Sequence, residues 1–408
     1  METQVRGHPG AFPSSLTIKM TRALLALLLA LAQFQVAAAP RRRAVQHPAP
    51  FVTPAAIVTA AHQAAEAALA AGVPAVQIAV YEGGRVVYSE AFGVTDKVTA
   101  TAATPQSVLQ IASVTKQFTS AAILRLAERG ALTLDDRIEK FVPEFNPRGE
   151  TITLRHLLTH TSGVARDWMP PATNLLAPAT RQQVMNGINA KPFDFTPGTM
   201  WSYSNSGYML LGYAIESITG KSYAEFIQHE FALPLGLLDT GVCGTNNLPV
   251  PAGYGPNGKL PAIHATVLWS SGSFCSTATD LARWAHLLAT GRVLLPASYA
   301  AMTTPAQVDF NNMPPYGLGL MLAPQIGHEA VFHGGAVGGF QSFLIYFPAR
   351  QVSVAVITNA FPAPAAGNPQ MIAVTVAKAA LSALEGAVDA VSSSVDPSAS
   401  RRRVYGHA

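Results

Sequence analysis

Val76-Gln77-Ile78-Ala79-Val80-Tyr81, then Glu82-Gly83-Gly84-Arg85, then Val86-Val87-Tyr88-Ser89-Glu90-Ala91-Phe92: two runs rich in Val and Tyr flank a turn built on two glycines. β-Branched and aromatic residues suit a pleated surface, and glycines between two such runs mark a hairpin. On its N-terminal side, Ala55 to Ala71 is Ala-rich with few breakers and reads as a helix. On its C-terminal side, strand signals return only at Val331–His333, Phe340–Phe347 and Val352–Ile357, with Pro348-Ala349-Arg350 as the last turn. Met371 to Leu384 then closes as a helix. From Ser113 to about Arg292, helical stretches alternate with Pro- and Gly-rich loops. The fold class expected is α+β. One antiparallel sheet, flanked by N- and C-terminal helices, carries a large inserted helical domain. The α/β part takes residues 55–112 and 325–388, and the helical part 113–324.

The chain has 408 residues, 49% hydrophobic and 12% charged, which excludes an intrinsically disordered chain. The net charge is +4, but nine of the 27 Lys and Arg lie before residue 44 or after residue 400. The 18 that remain face 22 Asp and Glu, so the body is acidic and nucleic acid is not an expected partner. Lys19 and Arg22 lead into an unbroken apolar run, Ala23 to Ala32, and small residues follow from Val36 to Ala39. This reads as a signal peptide with its leader over residues 1–39. The run is too short for a stable membrane span. Residues 40–54 are expected to be a flexible segment, 55–388 one folded unit, and 389–408 a disordered Ser- and Arg-rich tail. The expected location is periplasmic or secreted. Export makes Cys243 and Cys275 a candidate disulfide; the alternative is two small buried hydrophobes.

Three short motifs carry chemistry. Ser113-Val114-Thr115-Lys116 opens a helical stretch, and a Ser and a Lys three apart there share one face. The lysine eases removal of the serine proton, and the helix start offers N–H groups to an oxyanion. Tyr203-Ser204-Asn205 follows in a loop. A phenol titrates near 10, and a neighbouring ammonium lowers it, so Tyr203 near Lys116 is a candidate base for Ser113. Third comes His333-Gly334-Gly335-Ala336-Val337-Gly338-Gly339. Glycines inside a strand signal close approach of a ligand or another backbone. A substrate lying along this strand meets Gly335 and the Ala336 N–H as second oxyanion donor, with His333 supplying a hydrogen bond or positive charge.

In this order the three motifs resemble the serine β-lactamase and penicillin-binding protein superfamily. The likeness is to its class C-like branch of class C β-lactamases, D-alanyl-D-alanine carboxypeptidases and family VIII esterases. The segments Ile111–Thr119, Leu157–Gly163, Pro197–Gly207 and Gly272–Leu281 look like the same family, and the resemblance runs from about residue 55 to 385. It implies that 55–388 is a serine hydrolase domain forming an acyl-enzyme on Ser113, with Lys116 and Tyr203 moving the proton. Asn205 would hold the substrate amide or Lys116, and the N–H groups of Ser113 and Ala336 the oxyanion. It implies no cofactor and no metal. The substrate implied is a small molecule or a peptidoglycan peptide.

One departure bears on specificity. β-Lactamases of this branch usually carry Lys-Thr-Gly where His333-Gly334-Gly335 stands. Small esters or D-amino-acid peptides and amides are therefore expected ahead of β-lactams. The alternatives are a β-lactamase proper and a slow penicillin-binding sensor. Gly253 to Leu260 nearly matches a P-loop but lacks the Ser/Thr after Lys259, and a surface loop is expected. His156 and His160 have the spacing of helical zinc ligands, but no Glu follows His156 and no metal is assigned.

Overall fold

The computed structural model describes residues 53–169 and 174–394. The expected signal peptide, most of the 40–54 segment and residues 395–408 lie outside them. The hairpin forms as β1 (Ala75–Glu82) and β2 (Arg85–Asp96), with Gly83 and Gly84 both at positive φ, as tight hairpin turns require. β3 (Thr101–Ala102), β4 (Met321–Leu322), β5 (Val331–Val337), β6 (Phe340–Phe347) and β7 (Val352–Thr358) complete an antiparallel sheet in the order β3-β2-β1-β7-β6-β5-β4. The early hairpin and the late strands meet between β1 and β7, where Val76 faces Thr358 and Val80 faces Val354.

All seven residues of β7 are buried, because helices cover both faces of the sheet. On one face, α1 (Ala55–Ala70) presents Ile57, Ala61, Ala65 and Ala68, three and four residues apart along one stripe. They pack with Val76, Ile78 and Val80 of β1, Val352, Val354 and Val356 of β7, and Ile372, Ala373 and Val376 of the closing helix. The other face carries Ala79, Tyr81, Ala355 and Ile357. It is covered by a helix over Ala278–Ala289 that contributes Leu281, Ala282 and Ala285. Ser353 Oγ of β7 donates to Ala282 O at 2.6 Å.

That helix corrects the sequence reading, which put residues 113–324 in the helical part. The apolar face of an amphipathic helix requires a partner but does not name it. The closing helix, Pro369–Ser394, also runs past residue 388 into the tail expected to be disordered. No proline interrupts the chain before Pro397. Gly253 to Leu260 is not an open loop but a short hairpin, Gly253–Gly255 against Gly258–Leu260.

The helical region centres on α2 (Thr115–Glu128), buried at every residue from Thr115 to Leu124. Beside it lie α3 (Asn205–Thr219) and the short helix Ala265–Gly272. The latter is broken at Trp269, a non-glycine residue at φ 40°, ψ −131°. A small sheet ties the region to the strands: Leu109–Gln110 and Gly241–Val242 flank Phe274–Ser276. Cys243 and Cys275 are bridged there, with Cα atoms 5.0 Å apart. The sheet and the bridge fasten the segments just before Ser113 and just after Ser271.

Candidate active site

Ser113 sits in a single 3-10 turn, Ala112–Val114, that feeds directly into α2. Ala112 is held at φ 47°, a strained conformation for a residue with a Cβ. Thr115 fixes the turn: its Oγ1 donates to Ala112 O at 2.6 Å and accepts from Phe274 N at 3.1 Å. Ser113 alone in this segment reaches solvent, facing the cleft.

One helical turn on, Lys116 is fully buried. Its Nζ donates to Asn205 Oδ1 at 2.8 Å and to the Ser271 carbonyl at 2.7 Å, and lies 3.4 Å from Ser113 Oγ. The break at Trp269 turns two carbonyls toward α2: Ser270 O accepts from Thr119, and Ser271 O from Lys116. Asn205 cannot swing round, because its Nδ2 donates to Asp167 Oδ1 at 2.7 Å and a carboxylate only accepts. Burial lowers the Lys116 amine well below its ordinary range. Nearby Arg166 lowers it further, and Asp167 opposes. An uncharged amine donating to Asn205 and Ser271 has its lone pair left for the Ser113 hydroxyl.

Tyr203 lies across Lys116, its ring centre 4.6 Å from Nζ, with its hydroxyl beside Ser113. Burial raises the phenol above its ordinary value, more than Ser113 and Arg166 lower it. This reverses the sequence expectation of a phenol lowered by a lysine charge. In a low-dielectric site the uncharged pair, amine and phenol, is favoured over ammonium and phenolate. His160 holds the loop that carries Tyr203: its carbonyl accepts from Ser202 N at 3.0 Å and its Nδ1 from Ser204 N at 3.1 Å. Its ring lies 4.3 Å from that of Tyr203. His160 is thus a loop anchor.

Strand β5 runs beside the nucleophile. A Cβ on Gly335 would lie 2.2 Å from Ile111 O and 3.1 Å from Ser113 N, so only glycine allows this approach. Val337 faces Phe340 across the Gly338-Gly339 turn. Alternation of hydrogen-bonded pairs from that closing pair directs the Ala336 N–H away from β6, out of the sheet edge. Beyond Phe332, β4 no longer pairs with this edge, which leaves it open to the cleft.

His333 departs from expectation. It is 1% exposed; its Nδ1 donates to the carbonyl of the next residue, Gly334, at 2.6 Å, and its Nε2 accepts from the Tyr316 hydroxyl at 2.9 Å. Burial lowers its pKa to about 3. It brings no positive charge to a substrate at neutral pH.

The structure therefore gathers Ser113, Lys116, Tyr203, Asn205, Gly335 and Ala336 around one cleft, with His333 in its wall. Sequence reading missed Asp167, Arg166, Ser271 and Tyr316. Asp167 lies only four residues beyond the Leu157–Gly163 segment, the one signal that pointed to it. A cavity of about 770 Å³ opens on Ser113 and Tyr203. Among the described residues no cluster of His, Cys, Asp or Glu is arranged to hold a metal. No described helix is long and apolar enough to cross a membrane.

The beta-lactamase family model matches residues 61–377. Protein flp of Staphylococcus aureus (strain N315) is 30% identical over 308 residues, covering 70% of this chain; the chain spans 60% of that protein's length. The octameric penicillin-binding protein homologue from Pyrococcus abyssi has a TM-score of 0.70 at 29% identity, over 81% of this chain and 77% of that one. The D-stereospecific amidohydrolase from a Streptomyces species has a TM-score of 0.66 at 28% identity, over 77% and 96%. With the motifs in one cleft on this fold, the chain belongs to the beta-lactamase family, whose members are generally Ser-x-x-Lys hydrolases.

Proposed function

We propose that this chain is an exported serine hydrolase that cleaves small esters, or D-amino-acid peptides and amides, through an acyl-enzyme on Ser113. The observation that carries this reading is the Lys116 amine, held by Asn205 and Ser271 with its remaining direction on Ser113 Oγ. Lys116 takes the Ser113 proton as Oγ bonds to the substrate carbonyl carbon. The carbonyl electrons move onto oxygen, where the N–H groups of Ser113 and Ala336 hold the charge. The tetrahedral species collapses, the bond to the leaving group breaks, and Tyr203 gives that group its proton. The Lys116 ammonium then returns a proton to Tyr203. Water repeats the sequence on the ester of Ser113: it loses a proton to Lys116 by way of Tyr203, and the released Ser113 oxygen takes one back.

Two observations support the choice of substrate. Uncharged His333 and the missing Thr side chain at Gly334 remove partners for a β-lactam carboxylate, which ranks β-lactamase activity below ester or amide hydrolysis. Similarity to the D-stereospecific amidohydrolase favours D-amino-acid substrates among the amides. Export is supported by the bridged Cys243 and Cys275, since disulfides persist in oxidising compartments, and by the apolar run Ala23 to Ala32. The test is the rate of p-nitrophenyl butyrate hydrolysis by the chain and by Ser113→Ala, with intact-mass detection of a Ser113 adduct. Loss of both in Ser113→Ala is expected. A variant that keeps full activity would sink the assignment.

A further inference from the structure

Adjacent glycines on β5 differ in what their neighbours demand. Gly335 cannot carry a side chain at all. At Gly334 a Cβ would meet Phe343 Cδ2 at 3.6 Å and Ser342 O at 3.8 Å, both ordinary contacts, and its φ is not positive. Packing does not require a glycine there, and a residue with a side chain would strengthen the strand. What the missing side chain leaves is space.

That space joins two halves of one cavity. Strand alternation sends His333 and Gly335 to the nucleophile side of the sheet, and Phe332, Gly334 and Phe343 to the opposite face. Phe332 and Phe343 belong to the core beneath α1 and the closing helix. Yet they line the same cavity as Ser113 and Tyr203, together with Met321, Gln341 and Asn368. The cavity therefore passes round the open edge of β5 at Gly334 and continues as a chamber on the far face. Met321, Phe332 and Phe343 give it an apolar wall, and the amide side chains Gln341 and Asn368 also line it. Arg166 is the one charged residue in the whole lining, and it sits at the Tyr203 end, its guanidinium 5.2 Å from that ring centre.

Direction along the strand says which part of a substrate reaches the chamber. The Ala336 N–H marks the oxyanion, whereas His333, next to Gly334, has its ring 6.3 Å from that of Tyr203. Tyr203 protonates the leaving group, so Gly334 lies on the leaving-group side of the scissile carbonyl.

Resting on the hydrolase reading above, we infer that the substrate's leaving group is an uncharged, extended chain that runs past Gly334 into the chamber behind β5, with Gly334 as the specificity-determining residue. The experiment compares acid release from ethyl and octyl acetate, which share an acyl group, by the chain and by Gly334→Ala and Gly334→Val. The wild type is expected to prefer the octyl ester, and the octyl-to-ethyl ratio of kcat/KM to fall with side-chain size, by at least about tenfold in Gly334→Val. A ratio unchanged by both substitutions, or a wild type that prefers the ethyl ester, overturns the proposal. Binding of 1-octanol to Ser113→Ala and to Ser113→Ala/Gly334→Val, by calorimetry, tests the chamber without chemistry. Weaker binding in the double variant supports the chamber even if no ester is cleaved, which would then count against the hydrolase reading alone. Equal binding in the two, or none in either, overturns the chamber while leaving that reading intact.

Discussion

Beneath α1 and the closing helix, the sheet meets mainly aliphatic and aromatic side chains, Ile57, Ile78, Val354 and Ile372 among them. On the opposite side the core that starts at Leu281 and Ile357 runs into α2, and there it encloses Lys116, Gln117, Thr119, Ser270 and Ser271. Each of these polar groups has a partner at a fixed place. Trp284 Nε1 donates to Gln117 Oε1 at 3.1 Å, Thr119 Oγ1 to Ser270 O at 2.7 Å, and Ser270 Oγ to Tyr208 O at 2.8 Å. The first region is held by area removed from water, which tolerates many side chains of suitable volume. The second depends on geometry, because a buried polar group without its partner costs about 1–3 kcal/mol. Stability and chemistry are thus lodged on different sides of one sheet, and substitutions on the two sides should separate them.

The largest effect is expected at Lys116. Arginine there brings a permanent charge and cannot shed its proton, so Lys116→Arg should lower kcat/KM by about 10²–10⁴-fold, and no milder than alanine. An arginine variant with near-normal turnover would remove Lys116 from the role of base. In the native chain the amine works only when uncharged. Activity should therefore be present above the lowered Lys116 pKa and disappear as pH falls through it.

Ile57→Ala probes the other side. It should cost about 2–5 kcal/mol of unfolding free energy, read from denaturant midpoints, while the pH–rate profile keeps its shape. A shifted profile would mean that the two sides are coupled after all.

Asp167→Ala is a smaller test within the polar side. Asn205 loses the acceptor that orients it, and kcat should drop about tenfold with KM little changed. Equal loss in both parameters would point to a disturbed binding wall instead.

The smallest effect is at Asp280, in the first turn of the helix over Ala278–Ala289. It accepts from Asp239 N at 3.1 Å and Thr240 Oγ1 at 3.0 Å, yet burial raises its pKa to about 6. A carboxyl raised on folding binds its proton more tightly in the native state. Its contribution to stability is complete below the ordinary value near 4 and is lost as pH rises through about 6. Asp280→Asn should flatten that part of the stability–pH curve; an unaltered slope would assign it to another group.

How much of this was legible in the residues follows from the range of the interactions. The hairpin and the closing strands were readable because alternation and turn glycines are local signals. The helix over Ala278–Ala289 was recognised as a helix but given to the wrong layer, since periodicity reports that a face is buried and not against what. Ser113 and Lys116 share a helical turn, so their pairing was visible. Asp167 reaches Asn205 across 38 residues, and Tyr316 reaches His333 across 17, with no pattern linking either pair. The charge state of His333 depends on exactly such a distant contact and on burial, so a histidine read as a source of charge became an uncharged part of the wall.

The break at Trp269 has a consequence for inheritance. Of the two acceptors that hold the Lys116 amine, one is a side chain that a single codon change can delete, and the other is the carbonyl of Ser271. Every amino acid brings that carbonyl, so drift at position 271 leaves the anchor in place. Only a change in the path of the chain, at Trp269 or at the Gly212 that lets Ser270 pack closely, can remove it. Descendants of this sequence can therefore exchange the residues that choose a substrate while the lysine stays tethered.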